Sequence, residues 1–212
     1  MSQLTFILGR SGTGKSTSLH SFNKADSIGY ISATGKPLPF KNDIPQFHAK
    51  NYSDLRAAIS QSKADVMVID DFNYFMSFEE FSQASVKGYE KFTQMAVNVV
   101  DIIELITRKD SNQRFYIMAH SETNDDGQLR LKTTGKMVSD KFVPEGLANQ
   151  VVETAVIDRD FVFKVRTDGT GIKTPAAPGQ KPMFEDDTIP NDLKVLDKTI
   201  KAFYAPEAKA KK

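Results

Sequence analysis

Short apolar runs alternate with amphipathic stretches along most of this chain. Residues 4–8 are apolar but for Thr5 and stop at Gly9, and 28–32, 66–69 and 115–118 repeat the pattern. Runs this short, apolar on both faces, predict strands covered on both sides, as in a mainly parallel sheet. The stretches between them read as helices. Residues 16–22 predict a helix opened by the preceding glycine turn. Residues 51–61 predict another, with Asn-Tyr-Ser-Asp at its start as a cap. Over 78–107 one long helix is expected, because Phe92, Met95, Ala96, Val99, Val100, Ile103 and Ile106 recur three and four apart. That stripe predicts packing against the sheet.

The pattern changes in the last third. Residues 151–157 and 161–166 are rich in strand formers around Asp158-Arg159-Asp160, which predicts an antiparallel hairpin at one edge of the sheet. From Asp168 the composition turns to Gly, Pro, Thr and Lys. This predicts an irregular arm anchored by Phe184, Ile189 and Leu193, with a short helix over 191–204 and a basic tail. The expectation is therefore an α/β fold: a mainly parallel sheet flanked by helices, a late antiparallel hairpin and an irregular C-terminal arm. The division falls between a core at 1–166 and the arm at 167–212.

Composition narrows the class. The chain has 212 residues, 40% hydrophobic and 26% charged, which suits one α/β core with a small appendage. The formal net charge of +1 supplies no global attraction to nucleic acid, so such a site would need a local patch or an assembly. Without a cysteine there are no disulfides, thiolate metal sites or cysteine nucleophiles. No run reaches membrane-spanning length and the N-terminus has no secretory pattern, so the expectation is a cytoplasmic protein with no membrane partner.

The strongest chemical signal is Gly9-Arg10-Ser11-Gly12-Thr13-Gly14-Lys15-Ser16, which fits G-x-x-x-x-G-K-[ST] at every position. Glycines let backbone N–H groups turn inward around phosphate oxygens, and a following helix presents its positive end. Lys15 is expected to reach the β and γ phosphates, Ser16 to bind magnesium, and Thr17 to lie near the nucleotide. The cofactors read from this motif are ATP and Mg2+. Asp70 closes the strand VMVID and is the natural second magnesium contact. Asp71 follows it and is the candidate for orienting attacking water, with Glu79 and Glu80 as weaker rivals. His120 and Ser121 end the 115–118 strand; in a parallel sheet that end shares a crevice with the phosphate loop, which suits a γ-phosphate sensor. His20 and His48 offer no zinc-like spacing.

Two basic segments have several readings. Arg130, Lys132, Lys136 and Lys141 suit contacts with single-stranded DNA phosphates, a charge-stabilising finger into a neighbouring subunit's site, or a solvated loop. The run Lys36-Pro37-Leu38-Pro39-Phe40-Lys41 suits a DNA or subunit contact, or plain surface packing.

Taken together, GRSGTGKST at 9–17, GKPLPFK at 35–41, VMVIDDFNYFM at 66–76, IMAHSE at 117–122, RLKTTGKMVSDK at 130–141 and the KTP and IPNDL segments at 173–175 and 189–193 carry a resemblance. The chain resembles the phage-encoded, RecA-like P-loop ATPases grouped with single-strand annealing proteins. The resemblance implies a RecA-like P-loop NTPase core, ATP hydrolysis, single-stranded DNA binding, a part in recombination, and homo-oligomeric rings or filaments. It also implies the phosphate and magnesium roles for Lys15 and Ser16, the acidic role for Asp70, the sensor role for His120 and Ser121, and a DNA or intersubunit role near Lys136. One feature departs from it. Such proteins carry a glutamate base after the second strand, whereas no acid occurs here between Ser32 and Lys41, and the first afterwards is Asp43. Either Asp71 takes that role, or hydrolysis is slow and the protein works as a nucleotide-gated assembly factor. A small-molecule or nucleotide kinase is the remaining alternative, and the scarcity of arginines for a lid argues against it.

Overall fold

A computed structural model describes residues 2–134 and 142–205. The apolar runs form the centre of an eight-stranded sheet. Its strands are β1 (Gln3–Leu8), β2 (Ile28–Ser32), β3 (Gln46–His48), β4 (Val66–Asp70), β5 (Arg114–Ala119), β8 (Gln150–Ile157), β9 (Asp160–Lys164) and β10 (Thr188–Pro190). They lie in the order β10-β9-β8-β1-β5-β4-β2-β3. Every neighbouring pair from β8 to β3 is parallel, and β9 runs against both β8 and β10. Two short strands, β6 (Ser121–Thr123) and β7 (Leu129–Leu131), form a separate antiparallel pair.

Alternate residues of the central strands feed two cores. On one face Leu4, Phe6, Ile69, Phe115 and Ile117 pack with Leu55, Ile59, Val99 and Ile103. The last four come from α1 (Tyr52–Gln61) and α3 (Glu90–Thr107). On the other face Ile7, Val68, Tyr116, Met118, Val152 and Phe163 pack with Leu193, Leu196 and Ile200 of α4 (Leu193–Phe203). Burial on both faces is why these strands are apolar without alternation.

The α/β class, the mainly parallel sheet flanked by helices and the late hairpin are as expected. Asn51 caps α1 by accepting from the Asp54 N–H at 2.9 Å. The hairpin turns through Asp158 and Arg159, at φ 50° and 74°, the two positive values that a tight two-residue turn needs.

Three expectations change, and one strand appears that was not expected. The helix expected over 16–22 is a single 3-10 turn, Ser16–Leu19. Ser, Thr and His hold a helix weakly, and the Ser18 hydroxyl donates to the Lys15 carbonyl (2.6 Å), competing with helical pairing. The face left uncovered is taken by α4, whose N-cap Asp192 accepts from Lys194 N (2.8 Å) and from the Ser21 hydroxyl (2.6 Å). The long helix over 78–107 is two helices, α2 (Asn73–Ser82) and α3. Gly88 between them has φ 108°, which no helix accommodates. The proline-rich segment after β2 leads into β3, an exposed parallel edge strand paired Tyr30↔Gln46 to Ser32↔His48. The arm supplies β10, paired Ile189↔Phe163, so the sheet's edge is built from the arm and the hairpin lies inside it.

No helix among the described residues is long and apolar enough to cross a membrane.

Candidate functional site

The chain builds outward from β1 in both directions: β2 to β5 lie on one side and β8 to β10 on the other. In open α/β sheets the carboxyl ends of strands at such a reversal border a crevice. The Gly9–Ser16 turn leaves β1 at that point. Gly12 and Gly14 have φ 79° and 96°, values that side chains disfavour. Gly9 is required for a different reason, since a Cβ there would lie 2.0 Å from Thr154 Oγ1 on β8. The loop is tied down from both neighbouring strands. The Gly9 N–H donates to the Ala119 carbonyl (3.2 Å), and the Ser121 N–H donates to the Gly9 carbonyl (3.3 Å). Thr13 donates to the Arg10 carbonyl (2.8 Å) and sits 2.6 Å from Thr154 Oγ1.

Lys15 is 7% exposed and donates to the Gly9 and Arg10 carbonyls at 2.7 and 2.8 Å. Burial lowers its pKa, and the charges of Asp70 and Asp71 oppose that shift. Its ammonium is thus held at the loop by carbonyl dipoles and two carboxylates.

Asp70 is 1% exposed. Its Oδ2 accepts from the Ser16 hydroxyl (2.6 Å) and the Tyr30 hydroxyl (2.9 Å), and its Oδ1 accepts from the Asp71 N–H (2.8 Å). Burial raises its pKa and the Asp71 charge adds to this, while the Ser16 and Tyr30 hydrogen bonds act against it. A serine hydroxyl and a carboxylate side by side are hard oxygen donors of the kind magnesium takes, completed by water and phosphate oxygens. Among the described residues no group of three or more His, Asp or Glu could hold a metal by itself. The donor set therefore fits magnesium that arrives with a phosphate ligand.

Asp71 has φ 59°, and its Oδ2 accepts from the Thr34 hydroxyl at 2.9 Å. This left-handed residue, a conformation aspartate tolerates, ends the strand with the Asp71 carboxylate on Thr34 and its N–H on Asp70. His120 lines the same cleft, with its ring edge-on to Tyr74, centroids 6.2 Å apart. Burial, then the Lys15 charge, hold its pKa below the ordinary value, which favours the neutral ring, while the Asp71 charge opposes this. β5 lies between β1 and β4, so His120, just beyond the end of β5, shares the cleft with the loop and the aspartates.

The cleft of about 280 Å³ is lined by Ser11, Gly12, Gly14, Lys15, Ser16, Thr17, Asp70, Asp71 and His120, with Tyr30, Tyr74, Lys36, Pro37 and Pro39. Of the residues expected from sequence, the structure gathers Ser11, Gly12, Gly14 to Thr17, both aspartates and His120 around the cleft, while Gly9, Arg10 and Thr13 shape the loop from outside the lining. Ser121 contributes its backbone to the loop and lies outside the lining. Glu79 is turned to α3, where Oε1 accepts from Asn98 Nδ2 (2.6 Å). Arg130 lies in β7, donates to Gln128 (2.6 Å) and borders a different cavity with Glu122 and Phe142. Lys132 is exposed, and its N–H donates to the His120 carbonyl at 2.9 Å. Lys136 and Lys141 lie outside the described residues.

Tyr30, Thr34, Asn73 and Tyr74 were not foreseen as site residues. Tyr30 on β2 and Thr34 in the turn just after it reach Asp70 and Asp71, and only the β2–β4 pairing reveals them. Asn73 is buried, accepts from the His120 N–H and donates to the Lys132 carbonyl, so it joins α2, β5 and the segment after β7. Lys36 sits with its ammonium 5.6 Å from the Tyr74 ring centroid. Its proline-flanked segment was visible in the sequence, but not its place at the phosphate loop.

No protein-family model matches this sequence, and no curated protein matches it.

Proposed function

We propose that this chain is a RecA-like P-loop ATPase. The observation that carries the reading is the 2.6 Å hydrogen bond between Ser16 and Asp70, beside the buried Lys15. Fifty-odd residues apart in sequence, the two hard oxygen donors of a magnesium–triphosphate site meet at the ends of β1 and β4. Magnesium held by Ser16 and Asp70 would neutralise charge on the phosphate oxygens. Lys15 binds the β and γ phosphates through its ammonium, exchanging the Gly9 and Arg10 carbonyls for phosphate oxygens. The backbone N–H groups of the loop supply the remaining donors. Asp71, fixed by Thr34, accepts a proton from or orients attacking water. Neutral His120 donates a hydrogen bond toward the γ-phosphate and passes its state through Asn73 to the Lys132 segment.

The basic residues there, with the resemblance, extend the reading to binding of single-stranded DNA by a homo-oligomer in recombination or annealing, in the cytoplasm of an infected host cell. ATP turnover by the full chain, with and without single-stranded DNA, tests it. Turnover should rise with DNA and vanish in Lys15→Ala. A DNA titration that leaves turnover flat removes the DNA part, and hydrolysis by Lys15→Ala equal to the unaltered chain removes the whole reading.

One observation favours a second reading, a nucleotide-gated assembly factor with little hydrolysis. Asp71 already accepts from Thr34, and no glutamate stands after β2. Under that reading, a non-hydrolysable ATP analogue enlarges the particle in light scattering while turnover stays near background.

A further inference from the structure

A second cavity, of about 690 Å³, begins where the phosphate cleft ends. Thr17 lines both. The cavity runs between the start of β9 and the β10–α4 junction, with Phe161 on one wall, Pro190 and Asn191 on the other, and His20 and Val195 at its sides. Its volume is within the roughly 300–1,000 Å³ of small-molecule sites.

Two features of the walls have no structural explanation of their own. Phe161 is 43% exposed although it opens a strand whose Phe163 is fully buried. Asn191 is 7% exposed, and neither its Nδ2 nor its Oδ1 has a hydrogen-bond partner. Buried amides without partners are costly and rare in native proteins. Both residues also press on the phosphate loop. A Cβ at Gly14 would lie 2.8 Å from Phe161 Cδ1 and 3.0 Å from Asn191 Oδ1, so the loop and these walls are one packed unit.

We propose that this cavity takes the nucleobase of the bound nucleotide, and that the base is adenine. The proposal rests on the phosphate-site reading of Gly9–Ser16. A nucleotide whose phosphates lie in the loop passes Thr17 and reaches this cavity with its base. Phe161 offers an exposed ring on which a base stacks. The Asn191 amide carries one donor and one acceptor side by side, which matches the N7 acceptor and N6 donor of adenine; guanine presents two acceptors at that edge. Because Oδ1 lies against Gly14, the Asn191 side chain turns toward the base on binding, a rotamer change of the sort that binding commonly brings.

Calorimetric titration of the full chain with magnesium and ATP, GTP or inorganic tripolyphosphate tests this. ATP should bind about tenfold or more tighter than either GTP or tripolyphosphate. Val195→Trp, at an exposed helix position that fills the cavity, should remove the advantage of ATP over tripolyphosphate and keep tripolyphosphate binding. Asn191→Leu should bring ATP and GTP together. Equal ATP and GTP affinity in the unaltered chain, or an ATP advantage that survives Val195→Trp, overturns the proposal. Tripolyphosphate binding that is lost in Lys15→Ala keeps the phosphate site standing in either case. No tripolyphosphate binding at all, or binding indifferent to Lys15, ends that reading and this proposal with it.

Discussion

Replacing Asp197 with alanine should loosen the C-terminal helix from the sheet. Asp197 lies on α4, 7% exposed, and accepts from Arg114 and Tyr116 on β5. Its Oδ2 takes Arg114 Nη2 at 3.1 Å, while Oδ1 takes Arg114 Nε and, at 2.7 Å, the Tyr116 hydroxyl. Tyr116 has no solvent exposure, and burial followed by the Asp197 charge raises its pKa well above the ordinary value. Truncating the carboxylate leaves a guanidinium and a phenol buried without their acceptor. Breaking a buried pair from one side costs about 3–5 kcal/mol. For a chain of this size, a melting temperature falls by about 2–4 °C per kcal/mol, so a drop of roughly 6–20 °C is expected. Urea and thermal unfolding followed by circular dichroism measure it. The triple change Arg114→Met, Tyr116→Phe, Asp197→Leu removes every partner at once and should cost less than Asp197→Ala alone. A loss below about 1 kcal/mol, the level of an exposed ion pair, would refute the reasoning, as would a triple variant weaker than the single one.

Two further outcomes concern the cleft. Asp70→Asn should leave the ligand-free chain at least as stable at neutral pH and abolish the rise in melting temperature that Mg–ATP gives. The raised pKa of Asp70 means that the fold favours its protonated form, so its contribution is present below the unfolded pKa and lost as pH rises through the folded one. An uncharged amide escapes that loss, its oxygen facing Asp71 N–H and its NH2 facing the two hydroxyls; a large destabilisation counts against this account. His120→Gln should flatten the acid side of the stability profile. The lowered pKa of His120 means that the unfolded chain takes the proton first, so stability falls as pH drops below about 6.5 through the folded value. Urea midpoints across that window that keep the same slope in the variant would remove the effect.

The sequence by itself determined the pieces whose cause is local. The glycines and lysine at 9–16 can be read because a turn that presents backbone N–H groups needs those residue types at those positions. Runs such as VMVID read as strands because both faces are buried, and Asn51 reads as a cap because its acceptor lies three residues away. Reading failed where the cause is remote. The helix expected after the loop shrank to one turn because α4, more than 170 residues further on, covers the same face and binds it through Asp192 and Ser21. The break at Gly88 escapes the pattern because the apolar stripe begins only at Phe92, and a single helix from Phe78 extends it back across the glycine. Tertiary structure alone decided that β5 lies between β1 and β4, which stands His120 near Lys15 and Asp71. It also decided that Tyr30 and Thr34 hold the aspartates and that Phe161 and Asn191 flank Gly14. Those contacts join residues from 37 to 177 positions apart. No window of the chain contains both partners, and the sheet order that unites them follows from how its two apolar faces are covered.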